Sequence, residues 1–281
     1  MRSATADGWP LWDEVRKIPA FVRRDFLVMW SYRLAFFSDW INLVFQIALF
    51  YFIGRLIDPG RLPTFSGVRV TYIEFVAVGI ALSSFVYIGL SRVVSVIRNE
   101  QLMGTLESLL MTPTALTTIQ LGSVTYDLLY VPIRTVVFLL LAVAFLGARF
   151  SLGGLGPAAL VLTAFIPVVW GLGMISAAGV LTFRRGLGVV GFVSLLLTTT
   201  SSTYVPVEIL PGWLQGIATL NPITIALSGM REALLGGAGW EQVMPAILVL
   251  VPTAVASIGL GVVAFRLALL RERRRGTLGL Y

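Results

Sequence analysis

Long apolar runs alternate with short polar stretches along most of this chain, and the alternation predicts helices rather than strands. The first pattern is amphipathic. Over residues 10–30, Leu11, Val15, Ile18 and Val22 share one helical stripe, while Asp13, Arg16, Lys17, Arg23 and Arg24 lie opposite. That pattern predicts an interfacial helix on a membrane surface, with Pro10 in its first turn and a kink at Pro19. Apolar runs then predict spans at about 34–57, 72–90, 119–146, 158–183, 189–204 and 244–267. Segment 98–113 is too charged to span. Segment 205–242 is apolar yet interrupted by Pro206, Pro211 and Pro222, which predicts short helices that enter the outer leaflet and return.

Composition agrees with a bilayer as solvent. Hydrophobic residues make up 57% of the chain and charged ones 12%, about half the usual share in a soluble domain. Mean hydropathy is +0.89. The expected fold class is therefore an all-α integral membrane protein of six transmembrane helices, treated as one domain over 1–281. The N-terminus lacks an apolar stretch with a small-residue cleavage site, so no signal peptide is expected. Charge sets the orientation. Of 21 Lys and Arg residues, Arg134 falls inside a span and Arg55, Arg61, Arg69, Arg149 and Arg231 fall on one side. The other fifteen fall on the opposite side, which places that side and both termini in the cytoplasm, across the cell inner (plasma) membrane.

The net charge of +7 follows from this topology, and no basic stripe interleaved with aromatics suggests nucleic acid. With neither Cys nor His in the chain, thiolate chemistry, zinc sites built on those ligands and His-dependent triads are excluded. Gly186, Gly188 and Gly191 fit a dinucleotide-binding spacing, but an apolar span follows them and no soluble βαβ unit surrounds them; close helix approach is the expected role. Asp127 and Arg134 lie within the third predicted span, about 10 Å apart along its axis, with Tyr126 and Tyr130 nearby. They read either as a structural pair or, with Tyr130, as lining of a translocation route.

Two further constellations stand out. Glu100, Gly104, Thr105, Leu106, Glu107, Leu109, Leu110 and Pro113 predict a short amphipathic cytoplasmic helix, either an ordinary interfacial loop or a docking element. The second constellation is Glu208, Pro211, Trp213, Asn221, Pro222, Arg231 and Glu232 in the broken segment. Its acids and Arg231 are expected to pair or to cap helix ends, and its Trp213 and Trp240 suit the headgroup level.

The Gly104–Pro113 element and the Leu210-Pro-Gly-Trp-Leu … Asn221-Pro222 … Arg231 element, in that order within six spans, resemble the ABC-2 family of transporter permeases. The resemblance implies the membrane subunit of an ATP-driven exporter. It also implies two nucleotide-binding subunits that hold ATP and Mg, a second permease subunit, identical or related, and surrounding lipid. It assigns Glu100, Gly104, Thr105, Leu106, Glu107, Leu110 and Pro113 to ATPase coupling. Independently, a P-loop requires Gly-Lys-Ser/Thr, and the chain's single lysine, Lys17, precedes Ile18. No cofactor is therefore expected in this chain, and no enzyme activity of its own. The expected substrate is a hydrophobic drug or lipid. A cell-envelope polysaccharide or glycolipid is the alternative, and an ion-coupled secondary transporter is the alternative from another class.

Overall fold

The computed structural model describes residues 18–57, 62–92, 94–95, 116–182 and 186–275. Segment 98–113, expected to couple to the ATPase, and the first part of the expected interfacial helix, residues 10–17, lie outside them. Helix α1 (Ile18–Ser31) is followed directly by α2 (Arg33–Gly54). Pro19 falls in the first described turn of α1. A two-residue-per-strand hairpin follows, β1 (Thr64–Phe65) and β2 (Val68–Arg69), antiparallel and turned through Ser66 and Gly67, both at positive φ. Next come α3 (Tyr72–Tyr87), prolonged by a π-helical turn at Ile88–Arg92, then α4 (Leu116–Leu146) and α5 (Leu155–Thr182). The remainder is α6 (Gly186–Thr199), the short α7 (Gly212–Leu220) and α8 (Pro222–Leu234), and the long α9 (Trp240–Arg275).

Four stretches are long and apolar enough to cross a membrane: Tyr72–Leu90, Thr125–Leu146, Leu152–Thr182 and Trp240–Arg271. In α2 the apolar helix Trp40–Gly54 is shorter, and α6 has 14 residues. The sequence reading carries the span before 204 straight through that residue; the described helix ends at Thr199. The reason is a run of Thr and Ser, residues 198–203, whose side chains compete for the backbone. Thr198 and Thr200 each bond back to carbonyls three and four residues earlier, and Ser201 to Thr198 O. Ser202 leaves the helical path with φ 59°.

Small residues let two helices approach closely. A Cβ on Gly171 of α5 would lie 2.5 Å from Ser257 Oγ of α9, and one on Gly261 would lie 2.7 Å from Gly171 O. The two helices therefore touch backbone to backbone, as helices do where no hydrophobic drive separates them from lipid. Gly188 and Gly191 of α6, expected to serve close approach, meet nothing within 4 Å. Two apolar clusters complete the interior. One, around Phe75, Val78, Phe165, Leu227 and Leu250, lies toward the hairpin end. The other gathers Phe85, Ile88, Val131, Leu181 and Phe265.

Candidate functional site at the hairpin end

The strongest concentration of buried polar groups lies where α6 stops. Thr200, Ser201, Ser202, Thr203, Asn221 and Arg231 are all buried there. A helix end leaves carbonyls without intrahelical donors, and burial makes each of them costly unless another donor arrives. Asn221 supplies one. Its Nδ2 donates to Leu197 O (2.8 Å) and Thr200 Oγ1 (3.0 Å), while its Oδ1 accepts from Ile223 N (2.9 Å). One side chain thus closes the end of α6 and caps the start of α8, and Pro222 at the next position fits the first turn. Thr224 adds a bond from Oγ1 to Thr200 O (3.2 Å).

Two turns further along α8, Arg231 is 2% exposed. Its Nε and Nη2 both donate to Phe75 O (3.2 and 3.0 Å), Nη2 also to Thr203 O (3.2 Å), and Nη1 to Ser202 Oγ (3.3 Å). The guanidinium carbon stands 3.4 Å from the Phe75 ring centroid, a cation–π contact that adds to these bonds. Among the described residues no carboxylate forms an ion pair with it. Of the two expected roles for Glu208, Arg231 and Glu232, pairing or capping helix ends, direct pairing is not what holds Arg231, and Glu208 acts on it only as a charge at longer range. Glu208 is exposed, and its carbonyl accepts from Gln215 Nε2 (3.3 Å). Glu232 accepts from Ser66 Oγ (2.6 Å), fastening the hairpin to α8. The fold turns Arg231 inward, onto neutral carbonyls.

Close backbone approach makes this possible. A Cβ on Gly79 of α3 would run into Thr203 O and lie 3.1 Å from Thr203 C and 3.2 Å from Arg231 Nη2. Only a residue without a side chain lets the 203 loop reach α3. Glu74, one turn before Gly79, is the buried acid that sequence reasoning missed. It forms a capping box with Thr71, accepting from Thr71 N (2.8 Å), and its other oxygen accepts from Arg149 N (2.9 Å). The signal was available: Thr71-x-x-Glu74 directly precedes an apolar run.

Beside this junction an open groove of about 450 Å³ runs between the end of α2 and the segment after α6. Leu56, Ile57, Tyr72, Tyr204, Pro206 and Ile209 line it. Tyr72 OH donates to Tyr204 O (3.3 Å), and Phe50 stacks on Tyr204 at 5.5 Å. Pro211 precedes α7 and is exposed, and Trp213 on α7 is 72% exposed.

Asp127 and Tyr130 occupy α4 nearer its start, both half-buried. Tyr130 stacks on Tyr126 at 5.9 Å and meets Trp40 edge-on at 6.3 Å. Arg134 donates through Nη1 to Ser84 Oγ of α3 (3.4 Å). The void beside it, shared with Gln46 and Thr135, is about 10 Å³. That is room for one water at most. Glu100, Gly104, Thr105, Leu106, Glu107, Leu110 and Pro113 lie outside the described residues. Among the described residues no group of three or more Asp and Glu gathers as a metal site would require.

Comparison with known proteins gives one family. The model for the ABC-2 type transporter matches residues 16–235, from α1 through α8. No curated protein matches the chain.

Proposed function

From the premise that this chain belongs to the ABC-2 type transporter family, we propose that it is the permease of an ATP-driven exporter that moves a hydrophobic small molecule, drug or lipid-like substrate out of the cytoplasm. The family makes it a membrane component of an ABC transporter, a system that includes a nucleotide-binding partner. The match over residues 16–235 carries the proposal, because it embraces the predicted coupling segment and the buried junction in one family pattern. The lone Lys17 supports the division of labour, since phosphate binding by a P-loop must come from another chain.

In this reading α2 and α6 join the four long apolar stretches as crossings, giving six. The hairpin end faces outward and both termini lie in the cytoplasm of the inner (plasma) membrane. Two ATPase subunits bind ATP and Mg beneath a pair of permeases, identical or related. Segment 98–113 docks on the ATPase, with Glu107 toward a basic partner group and Gly104 allowing close approach. Segment 205–242 forms the re-entrant element. The apolar and phenolic lining of the groove between Leu56 and Ile209, uncharged among the described residues, supports a lipophilic substrate over a glycan.

The test is co-purification. The tagged chain, extracted from its native membrane in mild detergent, is expected to bring an ATPase with it. Glu107→Arg or Gly104→Trp should lower that associated ATP hydrolysis while leaving the permease inserted. A wild-type chain that purifies without any nucleotide-hydrolysing partner would sink the exporter reading.

A further inference from the structure

Arg231 poses a physical question that transport by itself does not answer. A cation taken out of water loses several kcal/mol even after relaxation, and the usual compensation is a carboxylate. Here the partners are two backbone carbonyls, one hydroxyl and one aromatic face, drawn from two other parts of the chain. Phe75 belongs to the first turns of α3, Ser202 and Thr203 to the loop after α6, and Arg231 itself to α8. A guanidinium is suited to this task because its planar fork can serve diverging acceptors at once.

We infer that Arg231 is a positioning residue for transport: its guanidinium pins the start of α3, the loop after α6 and α8 into one rigid body. The hairpin end then opens along the edges of that body, and the short helices after α6 do not lift away from α3. Three further contacts extend the body. Glu232 holds the hairpin at Ser66. Glu74 holds the backbone after α4 at Arg149. Ser151 N donates to Leu234 O (2.7 Å), joining the loop before α5 to the end of α8. By contrast α2 turns Val44, Phe45, Leu49 and Phe52 outward, each more than half exposed, and among the described residues no side-chain hydrogen bond ties its Gly54 end to the pinned body. The edge between α2 and the pinned body, where the groove lies, is the edge left to move.

The motion in this inference rests on the exporter reading, but the pin can be tested apart from it. The chain has no native cysteine, so spin labels can be placed in pairs. Val68 with Ser228 lies within the proposed body, and Val68 with Phe52 crosses its edge; all three positions are exposed. Distances are measured by pulsed electron resonance in lipid nanodiscs. First, without ATPase or nucleotide, the Val68–Ser228 distribution should be narrow in the otherwise wild-type chain. It should broaden at least twofold in Arg231→Met and narrow again in part in Arg231→Lys, which keeps a charge but loses the fork. If Arg231→Met fails to accumulate, Ser202→Ala removes the Nη1 contact alone and should broaden the same distribution. Unchanged width in these variants overturns the pin. Second, in the complex with the co-purified ATPase, ATP should shift the Val68–Phe52 distance and leave Val68–Ser228 in place. An ATP-driven shift of several ångströms within Val68–Ser228 also overturns it. Absence of any ATPase partner would count against the exporter reading, and the first measurement would still decide the pin.

Discussion

Gly79→Ala isolates the backbone contact on which the hairpin-end junction depends. The added methyl would meet Thr203 O roughly an ångström inside van der Waals contact, and Thr203 C at 3.1 Å. The obstacle is backbone, so no side chain can swing aside; the 203 loop must retreat. Overpacking of this kind costs about 1–3 kcal/mol. Retreat also lengthens the Arg231–Thr203 bond beyond its 3.2 Å, and a bond from a charged donor contributes about 1.5–3 kcal/mol. Against this, alanine in a helix is favoured over glycine by about 1 kcal/mol. The net expectation is a loss of roughly 1.5–5 kcal/mol. The matched control is Gly191→Ala on α6, where nothing lies within 4 Å and only the helix-propensity gain applies. Unfolding by SDS titration in mixed micelles, followed by the fluorescence of the seven tryptophans, reads both variants. Gly79→Ala should unfold at clearly lower SDS than wild type, and Gly191→Ala at equal or higher SDS. Equal midpoints for the two alanine variants would refute the close-approach argument.

Other outcomes follow from the same geometry. Asn221→Ala should destabilise by about 2–4 kcal/mol, through loss of the cap and of two donated bonds; Asn221→Asp, which keeps the cap but turns an acceptor toward Leu197 O and Thr200 Oγ1, should be no better in the same titration. Glu74→Gln keeps one good acceptor for two backbone donors, and should cost about 1.5–3 kcal/mol by that assay; a neutral result would show that Arg149 N finds another partner. For Asp127 and Arg134, the paired change to Asn and Gln should retain substrate-stimulated ATP hydrolysis better than either single change, as expected of structural charges; a dead but well-assembled double variant would reverse that assignment. Single cysteines at Ser66 and Glu241 should react with an impermeant maleimide in intact cells, and one at Thr277 only after lysis; external labelling at Thr277 would overturn the orientation.

The helices were legible because hydropathy is local: twenty apolar residues in a row announce themselves whatever lies beside them. Proline was equally legible, and α8 begins at the Asn221–Pro222 pair where the sequence suggested a new helix. The end of α6 was not, because Thr and Ser are moderately compatible with a membrane helix, and hydropathy does not distinguish a helical threonine from an unwound one. What holds the unwound turn in place lies twenty to thirty residues away, in Asn221 and Arg231. The burial of Arg231 left still less trace, since Phe75 O and Thr203 O are backbone acceptors that any residue would supply. A loop arginine and a buried hub arginine look alike when the partners carry no side-chain signature. Gly79 was similarly silent among the chain's 28 glycines, whereas the Thr71–Glu74 capping box was written in plain local code.

The length of α9 has a mechanical consequence. Its 36 residues make a rod of about 54 Å, against a hydrocarbon thickness of about 30 Å. Something like 20 Å of it therefore stands clear of the apolar slab, and the arginine-rich stretch after Leu270 is the end that water can hold. A rod pivoting at its Trp240 end turns a tilt of about 10° into roughly 9 Å of travel at Arg275. Because α5 is seated against α9 with no side-chain cushion at Gly171 and Gly261, it cannot stay behind when α9 leans. At the arginine tip of a lever that long, a small angular change within the bilayer would be magnified into a displacement on the scale of a protein surface.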